Sequence, residues 1–387
     1  MGNIITYVQE NGHLAFDELG FNEVDSLILS QLSYLDLSCC ADTPQPFGAT
    51  IGTLRQMGLA ANCPSNRIEA DRCDELYDLL ETSRRFRDIG VDHFVNDIDL
   101  AEEKQFSAVT FRLSPRLHYI AFRGTDATFV GWKEDFNMSF LADTPAQQAA
   151  VRYFEDIAGR TPGSFILGGH SKGGNLAVYA AMSAVSIYQQ RISLIYEHDG
   201  PGFLEETLQK PGFQAISSRI YKTVPESAVV GLLLTEHEKY TVVASKAIGL
   251  FQHDPFTWQV ENGDFVEAKD TDLFSKAADR TISHWLSEND AATRRAFIDA
   301  LYSLVQATGA HTLNELADNW QSNILPVLQA VRSMDPAVRR MILETIAGLL
   351  RASGRGVKET IAEQIDQTRE EIKAEVTGRL QKLVRPK

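Results

Sequence analysis

The chain has 387 residues, 44% hydrophobic and 23% charged, the balance of a globular protein with room for one large domain with additions or for two domains. Its formal charge of −15 argues against non-specific nucleic-acid binding, which needs a basic face, so no nucleic-acid partner is expected. No run reaches the roughly 18 apolar residues of a membrane span, and the opening MGNIITYVQE lacks the basic start and apolar core of a signal peptide.

A cytoplasmic protein is therefore expected. Cys39, Cys40, Cys63 and Cys73 are read as reduced thiols, because adjacent cysteines make a strained mutual disulfide. Their spacing is not that of a metal site, and neither metal nor organic cofactor is expected.

In chain order, the first hundred residues read as helical and packed on the core. Asn22 is suited to cap a helix through EVDSLILSQLSYLDL, and Asp71–Phe86 has a second amphipathic pattern. Between them, residues 41–50 form a loop with two prolines. Two strand-like runs follow, Ser107–Leu113 and Leu117–Arg123, joined by Ser114-Pro115-Arg116. Thr144-Pro145 places an N-cap and a first-turn proline at the head of a helix running to about Gly159.

Phe165–Ala181, FILGGHSKGGNLAVYAA, is then an apolar strand that breaks at Gly169-His170-Ser171-Lys172-Gly173 and enters a helix reaching about Gln189. Further strands are predicted at Ile192–Tyr196, Arg219–Val224 and Tyr240–Ala244. This alternation of strand and helix predicts an α/β domain around a mainly parallel sheet with helices on both faces.

From Asp270 onward the pattern is helical, over Asp270–Leu286, Ala291–Gln306 and Asn314–Val331. The last segment, 336–387, places Val357, Ile361, Ile365, Ile372, Val376, Leu380 and Leu383 mostly on one helical face, and it is basic on an acidic body. Such a tail suits self-association or a packing role, or else peripheral contact with a membrane surface. The expected organisation is a helical segment 1–100, a catalytic domain 101–335 with a helical end, and the tail 336–387.

The G-x-S-x-G pattern at 169–173 lies where a nucleophile elbow requires it, between strand and helix. A serine at such a bend exposes its hydroxyl, and the flanking glycines let strand and helix close together. A serine hydroxyl needs a base to take its proton and a carboxylate to orient that base. His198, His237, His253, His284 and His311 follow Ser171 in the chain. His253, in the proline-closed loop Gln252-His253-Asp254-Pro255, is the best placed, with His237 in reserve.

Two carboxylates compete for the orienting role. Asp199 leaves the strand beside the nucleophile strand and enters Gly200-Pro201-Gly202, and Glu226 holds the same position one strand later. An oxyanion hole needs two donors, for which the Lys172 N–H and the Gly124-Thr125 junction are the candidates. Arg123 is expected to pair with a carboxylate in the Trp132–Asp135 loop rather than touch substrate.

FRGT, the tryptophan-and-aspartate loop after it, and GHSKGGNLA together resemble the core of the class 3 (fungal-type) lipases, which are α/β-hydrolases. HDGPGF, VPESAVVGLLL and QHDPFTW are closer still to a bacterial lipase-like (Mbeg-like) hydrolase family. The resemblance spans roughly residues 107–260 and implies Ser171 as nucleophile, Thr125 at the oxyanion hole and His253 as base. The chain departs from the class 3 pattern at Lys172, where leucine is usual. It departs again at Ser227-Ala228-Val229, where a D-x-V acid would stand, so the acid falls to Asp199 or Glu226 or the triad is incomplete.

Two functions are compatible with these features. The first is a serine hydrolase cleaving a small-molecule or lipid acyl ester or thioester, with residues 229–234 lining an apolar pocket or lid. The second is a binding or scaffold protein on a hydrolase fold with weak or no catalysis.

Overall fold

The computed structural model describes residues 1–40, 48–59, 67–99, 104–125, 138, 143–228, 230–233, 239–247 and 249–272. The chain divides after Arg294, and every described residue lies before that point. Apart from residues 270–272, which are not helical, the helices predicted from Asp270 onward and the 336–387 tail fall outside the described residues, as do the Trp132–Asp135 loop and His237.

The N-terminal segment contains three helices: α1 (Ile4–Asn11), α2 (Glu23–Leu32) and α3 (Arg67–Thr82). The predicted cap at Asn22 is present, its side chain accepting from the N–H of Val24 and Asp25 while Asp25 reaches back to the Asn22 N–H. Eight strands make one sheet in sequential order: β1 (Ala49–Thr50), β2 (Gly90–Asp99), β3 (Lys104–Ser114), β4 (Leu117–Phe122), β5 (Ser164–His170), β6 (Ile192–His198), β7 (Ile220–Pro225) and β8 (Tyr240–Val243). From β1 to β4 the pairings are antiparallel, and from β4 to β8 they are parallel. Helices α4 (Pro145–Arg160) and α5 (Lys172–Ser183) flank β5 in the chain.

An all-helical first hundred residues is corrected here: β1 and β2 lie within them. β2 escapes a period-two reading because a bulge between Asp92 and Val95, with His93 at φ 56°, breaks its alternation. Its polar side chains also stand largely exposed.

The order of the parallel strands explains how the two faces are covered. Crossovers that step in one direction along a sheet with one handedness lay their helices on the same face. Accordingly α4, α5 and the short helix Pro211–Ile216 share one core, in which Phe154, Leu176, Phe213 and Ile216 meet Ile120, Phe122, Phe165 and Leu167 of the sheet. The opposite face is covered largely by the N-terminal segment, with Phe256, Trp258, Val260 and Phe265 joining it. There Tyr7, Leu27, Ile28, Tyr77 and Leu80 pack on Phe111, Tyr119, Ala121 and Ile166. Alternate residues of β4 and β5 serve opposite cores, so both strands read as continuous apolar runs.

The N-terminal layer is pinned by a buried ion pair. Arg85 Nε donates to Asp25 Oδ1 at 2.7 Å, and its other nitrogens reach Asp25 Oδ2 and the carbonyls of Leu19 and Gly20. Both side chains are excluded from solvent. Burial pushes the Asp25 carboxyl above its ordinary range, while Arg85 opposes the shift. Asp25→Ala leaves a guanidinium buried without its counter-charge, and urea unfolding should report a loss of about 3–5 kcal/mol.

Candidate active site

β5 ends at His170, α5 begins at Lys172, and Ser171 between them has φ 58° and ψ −132°. A non-glycine residue held there costs about 1–3 kcal/mol, so its surroundings must over-determine it. The Ser171 N–H donates to the His198 carbonyl of β6 at 2.8 Å, and its carbonyl accepts from the Gly174 N–H at 2.9 Å. The glycines on either side are steric necessities. A Cβ on Gly169 would lie 2.3 Å from the Gly173 carbonyl carbon, and one on Gly173 would lie 2.0 Å from the Phe122 oxygen of β4.

The structure brings Ser171, His253 and Asp199 together. Ser171 Oγ is 2.9 Å from His253 Nε2, and His253 Nδ1 is 2.6 Å from Asp199 Oδ2. A carboxylate can only accept, so Nδ1 carries the proton and the Nε2 lone pair faces the serine hydroxyl. The Asp199 side chain is 1% exposed and that of His253 is 32% exposed, so the carboxylate is shielded while the imidazole borders solvent.

Asp199 follows β6 directly, with φ 50°, and its N–H donates to Thr223 of β7 at 2.7 Å. Its second oxygen, Oδ1, accepts from the Gly231 N–H at 3.1 Å. A Cβ on Gly231 would sit 2.1 Å from that oxygen. The loop after β7, where the class 3 pattern carries its acid, here supplies a donor to an acid one strand away. Beneath the turn, buried Lys222 donates to Glu197 Oε1 at 2.6 Å and to the Gly200 carbonyl at 2.9 Å. The alternative acid, Glu226, lies after β7, its carbonyl accepting from the Asp272 N–H.

His253 closes the one-turn segment Gly249–His253, and the residue before it fastens that turn. Gln252 Oε1 accepts from the Ser227 N–H at 2.6 Å, and the Gln252 carbonyl accepts from the buried Trp258 indole at 2.8 Å.

Sequence reasoning missed His170, the variable residue inside the elbow motif. Its Nε2 lies 2.9 Å from the His253 carbonyl, which only accepts, so Nε2 carries the ring proton and Nδ1 is left to accept from Tyr34 Oη at 3.4 Å. The two imidazole centroids are 4.7 Å apart. Burial, and then the neighbouring His253 and His198, push His170 well below the usual imidazole range, so it stays neutral beside the base. His198, bonded to Ser26, is pushed by burial down to about 3. Only the position of His170 between Gly169 and Ser171 could have flagged it.

At the oxyanion side, Lys172 is the first residue of α5. Its side chain turns inward, Nζ donating to the Gln105 carbonyl of β3 at 2.9 Å. Thr125 follows Gly124, where an added Cβ would approach Ser171 Cβ to 3.2 Å and the His170 carbonyl oxygen to 2.6 Å, so this junction lies against the elbow. Arg123 donates to Asn96 of β2 at 2.9 Å. In the apolar 229–234 stretch, Leu232 is buried against Val224, Ala228 and Val242 and belongs to the core. Among the described residues no cluster of His, Cys, Asp or Glu could hold a metal ion, and no helix is long and apolar enough to cross a membrane.

The profile of the Mbeg1-like family matches residues 80–303. No curated protein matches the sequence. Similar solved structures include a Rhizomucor miehei lipase–propeptide complex, at 14% identity and a TM-score of 0.34 over 69% of this chain and 77% of that one. A variant of MDLA from Penicillium cyclopium has 12% identity and a TM-score of 0.37 over 65% and 87%. A lipase from Rhizopus microsporus var. chinensis has 16% and 0.32 over 65% and 92%.

Gly231→Ala should displace the Asp199 carboxylate from the imidazole while leaving the sheet intact. The parent protein should show a low-field proton resonance from the His253 Nδ1–H, and this should be lost in Gly231→Ala, as in Asp199→Ala. Its persistence in Gly231→Ala would show that the Gly231 contact does not seat the acid.

Proposed function

The chain belongs to the Mbeg1-like family, whose profile spans more than half of it, and we propose that it is a serine hydrolase acting on carboxylic esters or thioesters of apolar acyl groups. The observation that carries this reading is the unbroken hydrogen-bonded line from Asp199 through His253 to Ser171, at 2.6 and 2.9 Å. Its order in the chain, serine then acid then histidine, is that of the α/β-hydrolases. The competing view of an inactive binding protein drew on the missing aspartate after β7. Asp199 on the His253 ring supports the hydrolase reading over that one.

In the proposed reaction His253 Nε2 takes the hydroxyl proton as Ser171 Oγ bonds to the acyl carbon. The carbonyl π pair moves onto oxygen, which the Lys172 N–H and the Thr125 junction receive. The resulting imidazolium is stabilised by Asp199. It returns the proton to the departing alkoxide or thiolate as the tetrahedral intermediate collapses to an acyl-Ser171 ester. Water, deprotonated by the same imidazole, then releases the acid and regenerates the hydroxyl. Two features of the neighbourhood support this cycle. His170 stays neutral and does not oppose the positive charge that develops on His253, and the elbow fixes Ser171 Oγ before substrate arrives.

A fluorophosphonate probe should label the parent protein and should not label Ser171→Ala. Asp199→Asn, which removes the orienting charge and alters the tautomer, should lower turnover of a p-nitrophenyl ester by roughly three to four orders of magnitude. No labelling of folded parent protein would remove the hydrolase reading. The pH dependence has a definite sign: His253 works as a base only when neutral, so labelling should rise with pH through one titration and then level off. His170 and His198, held neutral by burial, should add no second step.

A further inference from the structure

Residues 1–79 precede the span that the family profile matches, yet several of them reach the segment that carries His253. Arg72 of α3 pairs through Nη1 with Asp254 Oδ2, beside His253, and its guanidinium lies 5.9 Å from the Phe256 ring centroid. Asn3, at the head of α1, donates from Nδ2 to the Phe256 carbonyl at 2.8 Å. Gly2 and Val260 exchange backbone hydrogen bonds of 3.0 and 3.1 Å. From below, Tyr34 meets His170, whose opposite ring nitrogen holds the His253 carbonyl.

We propose that the N-terminal segment is a working wall of the active site and that Arg72 is a positioning residue, holding the His253 loop over Ser171 through Asp254. The proposal rests on the serine-hydrolase reading. Without these contacts the loop would keep its bonds to Ser227 and Asp199, the His170 ring on the His253 carbonyl, and the bonds from 257–259 to 244–246, but it would lose its hold at Asp254 and Phe256. A displacement of the imidazole of the order of 1 Å costs heavily in rate.

The pair is also an electrostatic element of the site. Charged or titratable groups beside His253 include Asp199 from the end of β6, His170 from β5 and Asp254 next in the chain, the last paired with Arg72 of α3. Burial raises the Asp254 carboxyl while Arg72 opposes that rise. With Arg72 gone, the Asp254 carboxylate is uncompensated and favours a protonated His253. Labelling, which needs the neutral ring, should then require a higher pH.

Stability and positioning separate here because the Arg72 side chain is 42% exposed, and an ion pair with a solvent-exposed member adds little to folding. The test uses the full chain with Arg72→Met, Arg72→Lys and the double variant Arg72→Met with Asp254→Asn, which keeps an oxygen for the Phe256 N–H. Fluorophosphonate labelling is followed against pH, and amide hydrogen exchange over residues 251–258 is followed alongside. Arg72→Met should label about tenfold more slowly, with its midpoint moved to higher pH and faster exchange in that segment, at nearly unchanged Tm. Arg72→Lys should recover most of the rate. The double variant should bring the midpoint back but stay slow.

Parent-like rate, midpoint and exchange in Arg72→Met would overturn the proposal. So would a slowed rate that merely tracks a fall in Tm, with no shift in midpoint. A parent protein that never labels sinks the hydrolase reading and the catalytic part of this proposal with it. The exchange measurement still decides in that event whether Arg72 holds the loop.

Discussion

Three backbone segments, the end of β4, the end of β5 and the first turn of α5, are pressed together so closely that neither Gly169 nor Gly173 has room for a methyl group. That close approach forces Ser171 into a left-handed conformation, and the bonds to His198 and Gly174 keep it there. The rest of the site is arranged around this fixed hydroxyl. β6 delivers Asp199, the loop after β7 steadies it, and the 252–258 loop lowers an imidazole between acid and serine. A strained residue is affordable because its neighbours have no alternative arrangement.

The elbow was legible because its signal is local: an apolar strand, two spaced glycines and a helix within seventeen residues. His253 was legible for a related reason, since a proline-closed loop beyond the core strands stands out in sequence. The acid was not resolved by the same means. Adjacent parallel strands end at the same edge of the sheet, so carboxylates following β6 and β7 are equivalent in any linear reading. Only the third dimension shows that Gly231, thirty-two positions from Asp199, uses its N–H to hold that aspartate. Strand β2 was hidden by its bulge and its exposed polar side chains. Contacts such as Asn3 to Phe256 and Arg72 to Asp254 leave no trace in a periodicity.

The sheet topology gives the N-terminal layer a role that composition alone would not assign. Sequential crossovers crowd α4 and α5 onto one face, and α1, α2 and α3 cover the other. The buried Asp25–Arg85 pair ties that layer together, and the same layer supplies Tyr34 behind the elbow and Arg72 above the base. Covering an apolar face and framing the edge that holds Ser171, His253 and Asp199 are thus done by the same helices. A change made to improve one would be felt by the other.

Trp258 occupies a telling place in this arrangement. Its indole is fully buried, donates to the Gln252 carbonyl, and has its centroid 6.3 Å from the rings of both His170 and His198. It is tied to the loop that carries the base and looks onto the two imidazoles that burial keeps uncharged. The loop thus carries one of the chain's four tryptophans as a buried anchor, bonded to the residue just before His253.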